Sequence, residues 1–368
     1  MTISIVNREI RRTSGGGHSV ITCFPTYARR IDGTTWRVTL AGMVVRPLPP
    51  SSRRRALGMA VLKRLLDLHA ESEPSDLFAR RADAFLFQRA AGHSVAVEVA
   101  GLKFSSGPTD RFGHFEAVFD IDASRIDACG GQPDASGCRW LDWRATERAD
   151  PDDFSDATAP GVVQVVAPLG MSVVSDIDDT VKVSNVTSKR ELLANTFLRD
   201  FRPVPGMSEA LQRLAGSGGA FHYVSASPWQ LTPFLRSFFT AAGLPSGSLH
   251  LRLFRLKDST PLGRLPSSKR AKKRTLERIL ADFPGRRFWL IGDSGEMDPE
   301  IYAAVARKHP QQVIGIVIRD IEVDETHLAR RRFHRLARRL PAGFLRRFTD
   351  PADVAAALSE GSPVFRTE

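Results

Sequence analysis

The stretch MSVVSDIDDTVKVSN runs from two apolar residues, Val173 and Val174, straight into three carboxylates, Asp176, Asp178 and Asp179, with Thr180 next. Two later stretches end an apolar run in a similar way: VSAS carries Ser225, and IGDSGEMD carries Asp293 and Asp298. In an open parallel sheet, ligands sit beyond the carboxyl ends of the strands. Loops at three such ends would gather Asp176, Asp178, Ser225 and Asp293 into one polar pocket. Carboxylates brought together without a counterion repel one another and bind protons more tightly. A hard divalent cation removes that penalty, and Mg²⁺ suits a few carboxylates completed by substrate phosphate oxygens. An Asp activated there can attack phosphorus and form an aspartyl-phosphate. A second Asp two residues later can act as general acid and then as base. A Ser hydroxyl from another strand end, with a Lys from a helix, can stabilise charge on the transferring phosphoryl group.

The elements that must position these residues change character along the chain. HSVITCF, TWRVTLAGMVV, HSVAVEVAG and HFEAVFDI are alternating or β-branched runs, and GVVQVVAP adds a last one. One helix interrupts them, RRRALGMAVLKRLLDLHAE, with Leu57, Val61, Leu65 and Leu68 near helical spacing. Strands at this density predict a β-rich, sandwich-like domain over residues 1–168. From residue 169 onward, strand and helix alternate. MSVVSDI, AFHYVSAS, RFWLIGDSG and QVIGIVIRDI read as strands, the last three each preceded by a helical segment; GFLRRF and the helix PADVAAALSEG close the chain. Repeated βα units predict an α/β domain over 169–368, a Rossmann-like parallel sheet with helices on both faces.

Composition narrows the function classes. The chain has 368 residues, enough for two domains, each with its own core. It has 42% hydrophobic and 25% charged residues, an ordinary globular balance. No apolar run is long enough to span a bilayer, and the N-terminus lacks the charged-then-apolar order of a secretory signal. The expectation is a cytoplasmic protein. Cys23, Cys129 and Cys138 lack metal-ligand spacing and read as reduced thiols. Lys and Arg number 52 against 41 Asp and Glu, a net charge of +11. That balance suggests polyanionic partners such as nucleic acid, anionic lipid head groups or phosphorylated substrates, without saying which, or else a basic surface with no partner.

The motifs carry a family resemblance. DIDDT is similar to the DxDxT signature of the haloacid-dehalogenase superfamily, VSAS to its second motif and IGDSGEMD to its fourth. The combination SDIDDTVKVSNV, PVPGM, YVSASPWQL and FPGRRFWLIGDSGEMDPEIYA resembles the actin-patch-protein family of phosphatidate phosphatases, which is related to the lipins in its catalytic domain. The likeness spans about 172–361, and the N-terminal part resembles that family's β-rich domain only weakly. It implies a haloacid-dehalogenase-type fold with Asp176 as nucleophile and Asp178 as general acid/base. It further implies that Ser225 binds the phosphoryl group and that Thr180 orders the first loop. Asp293 would bind Mg²⁺ with Asp176 and the backbone carbonyl of Asp178, and Asp298 would stand behind them or join the metal site. The third-motif Lys opens the helix leading into FP. Lys272 has the right distance to Phe283, while Lys269 and Lys273 compete and Ala271 stands where the family often has His. Asp179 is left without a role beyond capping the turn.

Other features have two readings each. Trp229 lines a lipid or leaving-group pocket, or packs under its loop. His222 reads as a core histidine. The basic loop LPSSKRAKKR contacts an anionic membrane or is a solvated helix start. THLARRRFHRLARRLPAGF, with Leu328, Phe333, Leu336 and Leu340, is an interfacial helix or a crossover helix with its apolar stripe on the sheet. The expected activity is Mg²⁺-dependent hydrolysis of phosphatidate to diacylglycerol and phosphate, with a phosphorylated lipid as substrate and peripheral contact with an anionic membrane surface. The alternatives are a phosphatase of another phosphomonoester, nucleic-acid ends included though nucleic acid is disfavoured as a partner, and a phosphatidate-sensing module without turnover.

Overall fold

The structure, a computed structural model, describes residues 19–68, 75–131, 133–134, 138–147, 158–216, 218–252, 268–321, 327–350 and 353–354. Its first part is strand-rich: β1 (Val20–Phe24), β2 (Thr26–Arg30), β3 (Thr35–Pro47), β4 (Phe87–Arg89), β5 (Ser94–Val99), β6 (Leu102–Pro108), β7 (His114–Asp122), β8 (Arg139–Thr146) and β9 (Ala159–Val166). These join one curled sheet in the order β1-β3-β2-β9-β8-β5-β6, with β4 and β7 also paired to β3. Strand β3 holds the sheet together: β7 lies along it from Thr35 to Met43, while β2 and β1 divide its other edge. Inward residues such as Val38, Leu40, Val97, Leu141, Trp143 and Val163 pack into one core.

The reading of one inserted helix needs correction. Besides α1 (Arg53–Leu65), two short helices are present, α2 (Asp76–Asp83) and α3 (Ala123–Cys129). Each opens on a polar side chain that accepts from the first turn: Ser52, Ser75 and Asp122. The buried stripe of α1 also differs from expectation. Leu62 and Leu66 face the core, and Leu57 is exposed.

The second sheet is wholly parallel. It comprises β10 (Gly170–Ser175), β11 (Ala220–Pro228), β12 (Ser248–Arg252), β13 (Arg286–Asp293), β14 (Val313–Arg319) and β15 (Leu345–Phe348), in the order β12-β11-β10-β13-β14-β15. The sequence reading missed β12. Among the described residues six α-helices accompany it: α4 (Lys189–Phe197), α5 (Met207–Gly216), α6 (Thr232–Ala241), α7 (Ser268–Asp282), α8 (Asp298–Lys308) and α9 (His327–Ala337).

The period-two alternation of a strand sends its side chains to opposite faces, and here both faces are covered. Val173, Phe221, Tyr223, Trp289 and Ile291 pack with α5, α6 and also α1 and α2. Val174, Val224, Phe288, Leu290 and Ile316 pack with α7 and α8. Burying each such side chain contributes about 1.5–3 kcal/mol. Phe333, Leu336 and Leu340 lie against the second of these cores, which settles that stripe as packing. The side chain of Leu328 lies outside the described residues, as does the expected closing helix except for Asp353 and Val354.

Polar contacts tie the first part of the chain to this sheet. Arg81 is buried and donates through Nη1 to the carbonyls of Thr196 and Arg199 at 2.9 and 2.6 Å, satisfying the C-terminal end of α4. Its guanidinium carbon lies 4.0 Å from the Phe201 ring centroid. Tyr27 donates to Asp282 at 2.5 Å, and the Leu249 amide donates to the Pro25 carbonyl at 2.9 Å. No helix among the described residues is long and apolar enough to cross a membrane.

Candidate active site

The strand order reverses at β10. Strands β11 and β12 lie on one side of it and β13, β14 and β15 on the other. A crevice beyond the carboxyl ends opens at such a switch point. Asp176 follows β10 directly, and its amide donates to the Ile291 carbonyl of β13 at 2.9 Å. Asp293 ends β13. Ser225 lies near the end of β11, where the register against β12 shifts between Val224 and Pro228. Such irregularities re-aim side chains at a strand end.

Asp176 and Lys272 form the centre. The Lys272 ammonium lies 2.6 Å from Asp176 Oδ1 and 2.5 Å from Asp298 Oδ1. Glu296 Oε2 is 3.9 Å away. Asp176, Asp293, Asp298 and Lys272 are all buried. Carboxylate oxygens of Asp176, Asp293 and Asp298 come within 4.8 Å of one another, and the Oδ2 atom of each has no hydrogen-bond partner among the described residues. Asp293 Oδ1, by contrast, accepts from the amides of Gly295 and Glu296 at 2.7 and 3.1 Å.

Three carboxylates thus share one ammonium, and Asp293 lies close enough to feel its charge. Burial, opposed in part by Lys272 and reinforced by Asp298, pushes Asp176 well above the usual carboxylate range. Burial and the Asp298 charge push Asp293 up to about 8, and burial also raises Glu296. Lys272 is held protonated: burial opposes its charge, and Asp176 and Asp298 outweigh that. Excess buried negative charge with three orphan oxygens at one point fits a hard cation of the Mg²⁺ type.

Asp178 faces elsewhere. Its Oδ1 lies 2.7 Å from the Lys182 ammonium and accepts from Ser184 Oγ at 2.7 Å. Its Oδ2 accepts from Ser225 and Ser227 hydroxyls at 2.9 and 2.7 Å. Burial alone would raise this carboxyl. Lys182 and the hydroxyl donors reverse that and hold it below the usual range. Lys182 is itself buried, also donates to Ser184, and sits 4.8 Å from the Phe201 ring centroid. The Asp178 carboxylate therefore takes no part in the cluster of Asp176, Asp293 and Asp298.

Asp179, left without a role by the sequence, organises the loop. Its φ is 55°, a left-handed conformation that Asp tolerates better than most residues. Its carboxylate accepts from the amides of Ser184, Asn185 and Val186 at 2.7, 2.8 and 2.6 Å. Arg319, at the end of β14, donates to its carbonyl at 2.6 Å. Thr180 is buried beside it, and its hydroxyl has no partner among the described residues.

Of the three candidate lysines, Lys272 alone turns into the site. Lys269 is exposed, and Lys273 is half-exposed with Glu277 3.9 Å away. The Trp229 ring stacks on Phe24 of β1, with centroids 3.9 Å apart and planes 13° off parallel, a packing contact for a half-buried ring. His222 is buried and 2.8 Å from the Ser248 hydroxyl, a core position. Lys182, Ser184, Ser227 and Glu296 escaped the sequence reading. The signal was available for Lys182, four residues beyond Asp178 inside the same motif, and for Ser227 in VSAS.

Residues 171–320 match the family described as "Phosphatidate phosphatase APP1, catalytic domain". The phosphatidate phosphatase APP1 of Saccharomyces cerevisiae is 29% identical over 266 residues, 68% of this chain and 42% of that protein. An uncharacterized protein of Schizosaccharomyces pombe, C29B5.04c, is 36% identical over 166 residues, 44% of this chain and 27% of that protein. The chain therefore matches less than half the length of either relative. Among solved structures, a ferredoxin-NADP+ reductase of Plasmodium falciparum is 6% identical with a TM-score of 0.19, covering 82% of this chain and 94% of that one, and it carries no argument. The sequence resemblance thus converges on one family: the segment holding every residue of the buried acidic site resembles the catalytic domain of the APP1 phosphatidate phosphatases.

Proposed function

We propose that the chain is a Mg²⁺-dependent phosphatidate phosphatase of the haloacid-dehalogenase type, working through an aspartyl-phosphate on Asp176. In this reading residues 169–368 form the catalytic domain and residues 1–168 a sandwich-like domain before it. The observation that carries it is the Asp176 carboxylate: one oxygen is fixed by Lys272 and the other is buried and unpartnered at the switch point of a parallel sheet. Asp176, Asp293 and Asp298 would hold the Mg²⁺. When bound, the ion supplies positive charge that neutralises the acidic cluster and the phosphoryl oxygens.

The chain's own residues do the rest. Asp176 Oδ2 attacks phosphorus, and the bond from phosphorus to the glycerol oxygen breaks in line. Lys272 fixes the nucleophile's orientation and offsets charge on the phosphoryl group. Asp178 gives its proton to the leaving diacylglycerol oxygen and then takes one from the water that hydrolyses the aspartyl-phosphate, restoring Asp176. At rest Asp178 is a carboxylate; an arriving phosphomonoester dianion raises its proton affinity and prepares it as the acid.

The test is phosphate release from phosphatidate vesicles, a panel of soluble phosphomonoesters and end-phosphorylated oligonucleotides, with Mg²⁺ and with chelator. Phosphatidate should be the preferred substrate, and release should need Mg²⁺. Asp176→Asn should abolish release with the melting curve intact, and Asp178→Asn should abolish release in a protein that still folds but melts lower, because it leaves buried Lys182 unpaired. Full activity in Asp176→Asn would refute the mechanism. Preference for another phosphomonoester would overturn the substrate, and vesicle binding without any release would favour a sensing module.

A further inference from the structure

One cation beside this site has no task in the scheme above. Arg252 is the last residue of β12, and it pairs with Pro228 just past the register shift that follows Val224. That places it one strand out from Ser225. Its two terminal nitrogens, Nη1 and Nη2, are both buried, and neither has a hydrogen-bond partner among the described residues. A cavity of about 60 Å³ is lined by Arg252 together with Ser225, Lys272 and Glu296.

Buried donors left unpaired cost free energy, and a guanidinium presents them as a rigid fork that matches two oxygens of one oxyanion. Glu296 is an acid on the cavity wall and attracts the Arg252 charge, yet it makes no hydrogen bond to either terminal nitrogen. The cavity has room for an oxyanion and is too small for an acyl chain.

We infer that Arg252 is a substrate-binding residue: its guanidinium takes two oxygens of a phosphomonoester dianion, beside the Ser225 hydroxyl and the Lys272 ammonium. The inference rests on the phosphatase reading for its choice of ligand. It adds to that reading a fork-shaped site for a dianion, where a lone ammonium would act as a point charge. Substrates with a diester phosphate, which offer a single negative charge, would gain less from it.

The experiment uses the full chain. Binding of inorganic phosphate is measured by calorimetry for the wild type, Arg252→Lys and Arg252→Gln, together with KM and kcat for release from phosphatidate in mixed micelles. Phosphate affinity should fall at least tenfold in both variants, further in Arg252→Gln. KM should rise by a similar factor with a smaller change in kcat. Arg252→Lys keeps the charge and should keep the wild-type melting curve, so it decides the matter if Arg252→Gln fails to fold. Unchanged phosphate affinity and KM in a folded Arg252→Lys, or a wild type that does not bind phosphate, overturns the inference. Failure of the phosphatase reading looks different: the wild type releases no phosphate from any substrate while phosphate affinity still falls from Arg to Lys to Gln.

Discussion

Asp176 and Asp178 are two residues apart and live in opposite electrostatic settings. Asp176 shares Lys272 with Asp298, and burial and the neighbouring acids push its carboxyl up. Asp178 has Lys182 to itself plus three hydroxyl donors and is held down. Lys182→Met would strand a buried carboxylate. The expected cost is about 3–5 kcal/mol, the range for breaking a buried pair from one side, and urea unfolding at pH 7 would measure it. The sign with pH follows from the depressed carboxyl: this pair's contribution is complete at neutral pH and is lost only as pH falls below the ordinary carboxylate value, about 4. The gap between wild type and variant should therefore close in acid. Asp293 moves the other way, up to about 8. A cation must displace its proton, so Mg²⁺ affinity should rise as pH rises toward 8. Calorimetric titrations at pH 6, 7 and 8.5 read this directly, and Asp293→Asn should flatten the slope.

At the scale of elements, the close approach of β13 and α8 sets the acidic cluster. Gly292 stands one residue before Asp293, and a Cβ there would meet the Tyr302 ring at 2.8 Å and Asp298 Cβ at 2.9 Å. Gly292→Ala should push the start of α8 off the strand, costing about 1–3 kcal/mol as an overpacked position does. Chemical denaturation measures that cost, and a weaker Mg²⁺ affinity in the same variant would locate the damage at Asp298. The motifs at the ends of β10, β11 and β13 were legible because each apolar run stops at a polar residue. Strand β12 was not: SLHLR places His250 and Arg252 among its five residues and lacks a β-branched run. Helices α2 and α3 are 8 and 7 residues long, too short for a periodic pattern to stand out. Asp179 was unreadable for another reason. Its role depends on how a loop folds back on itself, and a left-handed Asp at φ 55° has no signature in spacing. For Trp229 local pattern left two readings open, because its stacking partner, Phe24, is about two hundred residues away in the other sheet.

Across the whole molecule, charge is sorted by depth. The site is a buried knot of acids around Lys272, whereas the chain as a whole carries +11. Helix α9 makes the sorting visible. Phe333 and Leu336, with Leu340 just beyond the helix, face the core, and Arg331, Arg335, Arg338 and Arg339 are exposed. The amphipathic pattern thus needs no membrane to account for its apolar side, and its basic side is left to meet solvent or an anionic surface. At such a surface each Arg contributes about 1 kcal/mol, falling off within a Debye length. The double variant Arg335→Gln with Arg338→Gln should therefore bind phosphatidate-rich vesicles more weakly by about 2 kcal/mol, roughly thirtyfold. The deficit should shrink as salt rises. Release of phosphate from a soluble monoester should be unchanged, because neither residue reaches the buried cluster. Co-sedimentation at low and high salt, run beside the soluble assay, separates the outcomes. Equal vesicle binding by wild type and variant at low salt would show that this face does not meet the lipid, and a matching loss on the soluble substrate would trace the effect to folding.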